Sequence, residues 1–430
     1  MMTMSIMILG IFFAFIALGM PISMSMFLSA LIPLALSGTP LIALSQKLFT
    51  SIDSYALMAV PFFTIAGGLM DKGGVSRRLV TLANAIVCWV PGSLAVVTFL
   101  ASAFFGAISG SAPATVVAIG SIMVPAMLKE GYDLKFALAT AASAGILGVI
   151  IPPSITFVIF GMATGASIGD MFLGGFIPGL MLMAGMSIYA IYYGKKYLKQ
   201  EHRQKFSLGG IWDAFKEAVW AILTPVIVLG GIYMGVFTPT EAAAVTILYG
   251  TIVGLFVYKE LTPMSILAIM KTSVRTSAMI LFIVACASAF SYVLTLANIP
   301  KMAAEFLTNT SMGSQVIFLA LVTIFLLIVG IMMDSVPAIL ILAPILTPTA
   351  VALGINPVAF GVIMCVNLSI GLLTPPVGMN LYVAVSIVKQ PAKLVINKHL
   401  FMYIFLACSV LVILMAFQDI IMFIPTLARG

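Results

Sequence analysis

Charge is the scarcest feature of this sequence. Of its 430 residues, 8% are charged and 62% are hydrophobic, and the mean hydropathy is +1.23. Soluble proteins carry about 25% charged residues, and a soluble fold this poor in charge would expose large apolar patches and aggregate. Apolar segments long enough to cross a bilayer, ~20 residues each, recur from Met4 to Pro425. The composition excludes a soluble globular protein and predicts an all-α polytopic membrane protein.

Cysteine and histidine are also rare, and their positions exclude several classes of site. Four cysteines lie apart in apolar surroundings without a CxxC pair: Cys88, Cys286, Cys365 and Cys408. They are typical of small core residues and not of a disulfide framework or metal site. His202 and His399 are the only histidines, so histidine-based zinc or triad chemistry is not expected. The sequence therefore predicts no enzyme. No basic region precedes the first apolar run, which we interpret as a retained helix.

Against this apolar background stand two polar turns and two proline-rich breaks. The turns are Gly106-Ala-Ile-Ser-Gly-Ser-Ala-Pro-Ala-Thr115 and Gly330-Ile-Met-Met-Asp-Ser-Val-Pro337; the breaks are Ile151-Pro-Pro-Ser154 and Thr374-Pro-Pro-Val377. Non-helical backbone at membrane depth is tolerated only where protein buries it or it lines a wet cavity. Matching interruptions in two halves of a chain point to the binding site of a transporter.

The spacing of these features predicts an internal repeat. The turn prolines lie 337 − 113 = 224 positions apart, and the break prolines 375 − 152 = 223. We place the first repeat at 1–194, a cytoplasmic linker at 195–215 and the second repeat at 216–430. Within them we predict re-entrant hairpins at 92–128 and 313–352, broken helices at 134–162 and 356–388, a helix near 276–297 after an amphipathic stretch, and a last helix over 400–423.

The distribution of lysine and arginine predicts the orientation. If the polar linker is cytoplasmic, only Lys47, Lys301 and Arg429 fall on the far side, which is a strong positive-inside bias. Both termini are then periplasmic. Each repeat has five spans, an odd number, so the two repeats are predicted to be inverted. One hairpin would enter from each side of the membrane.

The breaks offer oxygen ligands. A proline lacks the amide donor, so it frees the carbonyl four residues earlier in a helix; here these carbonyls are Gly148, Val149, Gly371 and Leu372. Bare carbonyls in hydrocarbon need a partner, and a monovalent cation suits several convergent oxygens. The turns add hydroxyl or carboxylate oxygens from Ser109, Ser111, Asp334 and Ser335. Alternatively, the prolines are packing kinks and the serines bond to their own helices.

The residues after each turn predict new helix starts. Pro113 and Pro337 follow Ser111 and Ser335, which are suitable N-cap residues. A helix restarting at Ser154 would behave in the same way. Free amides and the positive end of the helix dipole suit a carboxylate substrate.

Several other polar residues are candidates with a structural alternative. Asp334 is a carboxylate within an apolar segment, hence a functional candidate; it contacts substrate or sodium, or caps a helix, and its counterpart is Gly110. Thr238-Pro-Thr-Glu241 matches a capping box, which favours a structural role. Asn380 lines the cavity or forms a helix-packing hydrogen bond. Arg275 binds an anionic substrate or serves as an interface charge.

The motif set resembles the large membrane subunit of the TRAP (tripartite ATP-independent periplasmic) transporters over nearly the whole chain. The matching motifs are Pro61-Phe-Phe, Ala66-Gly-Gly-Leu-Met70, Ser109-Gly-Ser-Ala-Pro-Ala-Thr115, Gly131-Tyr-Asp133, Ile151-Pro-Pro-Ser154, Phe237-Thr-Pro-Thr-Glu241 and Leu373-Thr-Pro-Pro-Val-Gly378. The resemblance implies a sodium-driven elevator mechanism in a bacterial inner membrane. It also implies a small four-helix membrane subunit as a separate chain and a periplasmic substrate-binding protein.

The resemblance further implies residue roles. One sodium ion would lie near Ser109, Gly110, Ser111 and Gly148, and a second near Gly330, Gly371 and Thr374. The substrate-binding candidates are Asp334, Ser111, Ser154, Ser335, Asn380 and Arg275. Family substrates are mostly carboxylates, such as C4-dicarboxylates and sialic acid. A neutral site rich in hydroxyls with one aspartate favours sialic acid, a mono-anionic sugar acid.

Other functions remain open at this point. A related sodium-coupled anion symporter would act without a binding protein. An intramembrane protease would need paired aspartates, a Ser/His dyad or a zinc-binding helix, whereas Asp334 has no deep acidic partner in the sequence. A channel would be distinguished by flux faster than carrier turnover.

Overall fold

The computed structural model describes residues 2–198 and 207–429, and in these ranges the regular structure is helical. The helices up to residue 198 are α1 (Met2–Ala17), α2 (Ile22–Leu36), α3 (Ile42–Ile52), α4 (Ala59–Lys72), α5 (Val75–Val87), α6 (Ser93–Ser109), α7 (Ala112–Lys129), α8 (Leu134–Ala144), α9 (Leu147–Ile150), α10 (Ile155–Thr164) and α11 (Ile168–Tyr197). A 3-10 turn, Tyr55–Met58, joins α3 to α4.

The helices from residue 207 onward are α12 (Leu208–Tyr233), α13 (Pro239–Ile252), α14 (Pro263–Leu296), α15 (Ile299–Ser311), α16 (Gln315–Met332), α17 (Ser335–Ala352), α18 (Pro357–Gly371), α19 (Met379–Val388), α20 (Lys398–Ala416) and α21 (Asp419–Arg429). A π-helical segment, Val253–Val257, extends α13. Eight of the described helices are long and apolar enough to cross a membrane, or ten if two bent pairs count as one span each. The chain is therefore an all-α, multi-pass membrane protein.

Two groups of helices pack mainly among themselves. In the first, α14 contacts α2, α3 and α4, while α13 runs along α4. In the second, α6 packs on α7 and α11, and α16 packs on α18. Helices α8, α10 and α17 also belong to the second group, because they pack on α7, α11 and α18 respectively. This group contains a core of fully buried aromatic side chains: Phe99, Phe136, Phe157, Phe160 and Phe360. The groups meet where α14 touches α17 and where α4 touches α6.

Local chemistry explains several helix boundaries. The Thr238 hydroxyl accepts the Glu241 amide at 3.2 Å, and the Glu241 carboxylate accepts the Thr238 amide at 2.7 Å, so the predicted capping box is confirmed. The Ser207 hydroxyl accepts the Gly210 amide at 3.2 Å. This cap starts α12 at Leu208, inside the predicted linker of 195–215. The linker is therefore shorter than predicted, and residues 199–206 lie outside the described ranges.

Two further boundaries differ from the prediction. The helix predicted near 276–297 begins at Pro263, because no glycine or proline interrupts the segment up to Leu296. The last helix, predicted over 400–423, instead divides at Phe417 into α20 and α21. Helix α21 folds onto α11, where Ile421 packs against Gly174. Tertiary packing, rather than a breaker residue, ends α20.

Candidate functional site

The first polar turn is built around Gly110. Helix α6 ends at Ser109, Gly110 adopts φ +61°, and α7 begins at Ala112 with Pro113 in its first turn. A side chain at residue 110 would be strained at this φ, and its Cβ would lie 2.9 Å from the Pro153 carbonyl oxygen. The Gly110 carbonyl accepts the Ile155 amide at 3.3 Å. The turn is thus held directly against the first break.

Four residues predicted for the first sodium site converge here. Ser109 and Gly110 end α6, Ser111 precedes α7, and Gly148 lies in α9. A Cβ on Gly148 would meet the Ser111 carbonyl oxygen at 2.7 Å. Gly148 leaves room at the place where the turn and the broken helix approach each other.

Thr115 also belongs to this cluster, although it is not among the predicted site residues. Its hydroxyl lies 3.1 Å from the Ser109 hydroxyl and donates to the Ser111 carbonyl at 2.8 Å. A Cβ on Gly148 would lie 2.1 Å from the same hydroxyl oxygen. The signal was present as the final residue of the 109–115 motif, one helical turn after Ser111.

The first break ends α9 at Ile150 and starts α10 at Ile155, and its Pro152–Pro153 bond is cis. Among the described residues, no hydrogen bond is made to the carbonyls of Gly148 and Val149. The Ser154 hydroxyl lies 2.8 Å from the Thr156 hydroxyl and accepts the Phe157 amide at 3.5 Å. Ser154, a predicted substrate residue, is fully buried and serves as the N-cap of α10.

The second turn is capped by Asp334 and not by Ser335. The Asp334 carboxylate accepts the Ser335 amide at 2.7 Å, and α17 starts at Ser335. The N-cap predicted at Ser335 is therefore wrong, because the carboxylate one residue earlier takes the amide. The Ser335 hydroxyl is buried and has no hydrogen-bond partner among the described residues.

The second break lies between α18 and α19, and its Pro375–Pro376 bond is also cis. The Thr374 amide donates to the Gly371 carbonyl at 2.9 Å, and the Asn380 amide donates to the Leu372 carbonyl at 3.2 Å. The expectation that both carbonyls are free is wrong, because the loop folds back and supplies amides. The Thr374 hydroxyl donates to Ile370 at 3.0 Å.

Each hairpin meets its broken helix through a pair of glycines. A Cβ on Gly106 would lie 2.8 Å from the Gly148 Cα, and a Cβ on Gly371 would lie 2.5 Å from the Gly330 Cα. Only glycine permits backbones to approach this closely. The two pairs occupy corresponding positions, 330 − 106 = 224 and 371 − 148 = 223. This spacing equals that of the turn and break prolines.

The two breaks are close to each other. Ala112, Val149 and Leu372 form a small buried cluster that joins the first turn to both broken helices. Helix α7 packs on α19, and α10 packs on α17. Helix starts and broken helix ends from both parts of the chain therefore meet in one region.

The other two predicted substrate residues are placed differently. Asn380 is fully buried, and its side-chain amide donates to the Ala142 carbonyl at 3.3 Å. The helix-packing hydrogen bond that was the predicted alternative for Asn380 is therefore confirmed. Arg275 is exposed on α14 and, among described residues, forms no hydrogen bond or ion pair with the two turns.

The chemistry of the region is that of neutral oxygen and amide groups. Hydroxyl and carbonyl oxygens suit hard monovalent cations, and helix starts present amides to anions. Asp334, which is half-buried, is the single acidic residue in the two turns. In the part of the chain that the structure describes, no group of three or more His, Cys, Asp or Glu residues lies together as a metal site.

Comparison with known proteins gives the family. Residues 9–420 match the sequence model of "Tripartite ATP-independent periplasmic transporter, DctM component". The chain is 40% identical over 401 residues to the C4-dicarboxylate TRAP transporter large permease protein DctM of Rhodobacter capsulatus, covering 90% of this chain and 91% of that protein. It is 38% identical over 381 residues to the sialic acid TRAP transporter large permease protein SiaM of Vibrio cholerae, covering 87% of each.

A further relative is longer. The isethionate TRAP transporter permease protein DctMQ of Oleidesulfovibrio alaskensis is 43% identical over 393 residues, which cover 90% of this chain and 62% of that protein. The present chain therefore spans less than two thirds of that relative.

A solved structure supports the fold. The YdaH transporter of Alcanivorax borkumensis superimposes with a TM-score of 0.62 at 14% identity, covering 88% of this chain and 89% of that one. At this identity the likeness concerns the fold alone. Taken with the extent of the family match, these findings show that the chain belongs to the DctM family, the large permease component of the tripartite ATP-independent periplasmic transporters.

Proposed function

We propose that this chain is the transport subunit of a sodium-driven secondary transporter that imports an organic carboxylate, a C4-dicarboxylate or sialic acid. The observation that carries the proposal is the meeting of two polar turns with two broken helices through the pairs Gly106–Gly148 and Gly330–Gly371. Such close backbone contacts bring main-chain oxygens and helix starts together inside an apolar protein, where ions and substrate replace water as partners.

The first sodium site consists of Ser109, Gly110, Ser111 and Gly148, with Thr115 added from the structure. The cluster supplies three hydroxyl groups together with the carbonyls of the broken helix. The Ser109 and Thr115 hydroxyls lie 3.1 Å apart, and each hydroxyl oxygen has lone pairs available for a cation. No carboxylate is needed, which is compatible with a monovalent ion that must be released in each cycle.

The second sodium site consists of Gly330, Gly371 and Thr374. The Thr374 hydroxyl donates its proton to Ile370 at 3.0 Å, so its oxygen faces other partners only as an acceptor. The carbonyl of Gly371 accepts one amide at 2.9 Å and keeps a second lone pair. These oxygens therefore keep lone pairs for a sodium ion, even though the backbone of the break is partly hydrogen-bonded.

The substrate site lies between the two turns, at the starts of α7 and α17. The first-turn amides of α7 attract anionic groups, whereas the Asp334 carboxylate already accepts the Ser335 amide at the start of α17. Ser111, Ser335 and Asp334 offer contacts for hydroxyl or amine groups. The relatives described above are named for isethionate, C4-dicarboxylate and sialic acid, and all three are organic anions. This agreement supports an anionic substrate.

The two groups of helices support an elevator movement. We propose that residues 1–194 and 216–430 are inverted repeats and that the hairpins and broken helices move together against the helices around α4, α13 and α14. The moving body would carry both ion sites across the membrane. The charge distribution supports a periplasmic location of both termini.

The family membership supports two partners in a bacterial inner membrane. One is a small four-helix membrane subunit, and the other is a periplasmic binding protein that delivers the substrate. We infer both partners from the family membership alone.

Reconstitution tests this function. The chain is incorporated into proteoliposomes with its small membrane subunit, and a binding protein loaded with radiolabelled succinate, sialic acid or isethionate is added outside. Uptake should require an inward sodium gradient and the binding protein, and potassium should not replace sodium. Gly230→Ala serves as a matched control for glycine variants in the site, because no heavy atom lies within 4 Å of the added Cβ.

Each result has a defined meaning. Uptake of one acid with sodium and binding protein supports the proposal and identifies the substrate. Sodium-dependent uptake without binding protein would instead show an independent symporter. Uptake that is insensitive to sodium would contradict the ion sites.

A further inference from the structure

Asn380 is bonded to both broken helices. Its backbone amide donates to the Leu372 carbonyl at 3.2 Å, at the end of α18. Its side-chain amide donates to the Ala142 carbonyl in α8 at 3.3 Å. Asn380 thus connects the end of α18, which contains Gly371, with α8, which precedes Gly148 in the chain.

The surroundings of Asn380 leave it little freedom. The residue is fully buried, and a Cβ on Gly145 would lie 2.9 Å from its side-chain nitrogen. The same added Cβ would lie 3.1 Å from the Ala112 carbonyl oxygen, at the start of α7. A displacement of Asn380 would therefore move α8 and the first turn, because packed interiors do not absorb such shifts locally.

A hydrophobic cluster also joins the two broken helices. The Leu372 side chain packs in the buried cluster with Val149 and Ala112. Leu372 follows Gly371, while Val149 follows Gly148. Residues adjacent to one proposed ligand of each sodium site therefore lie in the same buried cluster.

Stability alone does not explain an asparagine at this position. Its side-chain oxygen is buried and has no hydrogen-bond partner among the described residues. An orphaned buried acceptor is destabilising, whereas an apolar side chain of the same size would avoid that cost. The amide is explained if its donor bond serves to connect the two helices.

We propose that Asn380 is a positioning residue that couples the two sodium sites, so that occupation of one raises the affinity of the other. An ion at the second site fixes the backbone at Gly371 and Leu372. Asn380 transmits this position to Ala142 and thereby to the oxygens around Gly148. The inference rests on the proposed sodium sites and adds their cooperativity.

The chain contains a matched control. Asn367 in α18 is also fully buried, and its side-chain amide donates to the Thr323 carbonyl at 3.1 Å. Its side-chain oxygen is likewise buried, with no hydrogen-bond partner in the part of the chain that the structure describes. Both ends of this bond lie in the second half of the chain, so its loss should not affect coupling between the sites.

The experiment measures sodium binding without transport. The purified full-length chain is titrated with sodium chloride against choline chloride at constant ionic strength, and its melting temperature is recorded. For the wild type we expect cooperative stabilisation with a Hill coefficient above 1, up to about 2 for two sites. In Asn380→Ala the coefficient should fall to about 1, and the half-saturating sodium concentration should rise about fivefold or more.

Two further variants complete the design. Asn380→Leu keeps the branching of the side chain and the backbone bond, is bulkier, and removes the amide donor. It should also lower the Hill coefficient to about 1, and it provides a second measurement if Asn380→Ala does not fold. Asn367→Ala should lower the melting temperature but keep the wild-type Hill coefficient.

The outcomes separate this inference from the proposed function. If sodium stabilises the wild type no more than choline does, the sodium sites are wrong and the coupling is overturned with them. If sodium binds to the wild type without cooperativity, or if both Asn380 variants keep its Hill coefficient, the sites stand and the coupling is overturned. An equal loss of cooperativity in Asn367→Ala would also overturn a specific role for Asn380.

Discussion

Gly371 lies against the backbone of Gly330: a Cβ added to Gly371 would be 2.5 Å from the Gly330 Cα and 2.9 Å from its carbonyl oxygen. This contact brings the second break to the end of α16. The contact leaves no room for a Cβ at Gly371, and a Cβ at Gly330 would lie a tight 3.1 Å from the Gly371 Cα. In the first half the backbones of Gly106 and Gly148 are also close, but there a Cβ on Gly106 makes the short contact, 2.8 Å from the Gly148 Cα.

Gly371→Ala should therefore impair both folding and transport. Overpacking of this kind costs about 1–3 kcal/mol, so we expect a lower melting temperature and loss of sodium-dependent uptake. Both are measured with purified and reconstituted protein. Gly230→Ala should change neither, because its Cβ meets open space. Normal uptake and sodium affinity in Gly371→Ala would contradict the placement of the second site.

The Thr115 hydroxyl provides a test of the first site. Thr115→Val keeps the shape of the side chain but removes the hydroxyl that contacts Ser109 and Ser111. We expect the half-saturating sodium concentration for uptake to rise at least about tenfold, which corresponds to ~1.4 kcal/mol. Thr115→Ser restores a hydroxyl and should recover most of the affinity. If Thr115→Val binds sodium like the wild type, Thr115 is only a helix-packing residue.

Asp334 has a cap function that can be separated from its charge. Asparagine is as good an N-cap as aspartate, whereas alanine loses about 1 kcal/mol. Asp334→Asn should therefore keep the wild-type melting temperature, and Asp334→Ala should lower it. If the carboxylate also contacts substrate or sodium, uptake should fall at least about tenfold in both variants. Wild-type uptake by Asp334→Asn would limit Asp334 to capping.

Arg78 links the α4–α5 junction to the segment before α14. Its guanidinium lies 2.6 Å from the Glu260 carboxylate and 3.7 Å from the centre of the Tyr258 ring. It also donates to the Gly74 carbonyl at 2.9 Å. We expect Arg78→Ala to cost about 1–2 kcal/mol of stability, mainly from the stacked, partly buried cation.

Two variants refine this measurement by thermal unfolding. Arg78→Lys keeps the charge but loses the planar guanidinium, which stacks on Tyr258 and donates to both Gly74 and Glu260. It should therefore recover only part of the stability. Arg77→Ala, at the exposed neighbouring position, should have little effect. An equal effect of Arg77→Ala and Arg78→Ala would show that net charge, rather than these contacts, stabilises the junction.

Local sequence signals predicted most of the helix boundaries near the site. The turn at Gly110, the proline breaks and the capping box at Thr238 each depend on residues that are neighbours in the sequence. The two glycine contacts have the same spacing as the prolines but were not predicted, because each joins residues of two separate helices. At α17 the sequence offered two cap residues: the cap role given as the alternative for Asp334 is confirmed, and the cap predicted at Ser335 is wrong.

The amino-acid sequence by itself determined that this protein is an apolar, multi-helix membrane protein with two polar turns and two proline breaks, because burial in lipid and the missing proline amide act locally. Only the tertiary structure decided which groups meet. It brought the Asn380 side chain to the Ala142 carbonyl, placed Gly371 against Gly330, and folded α21 onto α11. These contacts join residues whose approach depends on how whole helices pack, and helix packing has no local signal in the chain.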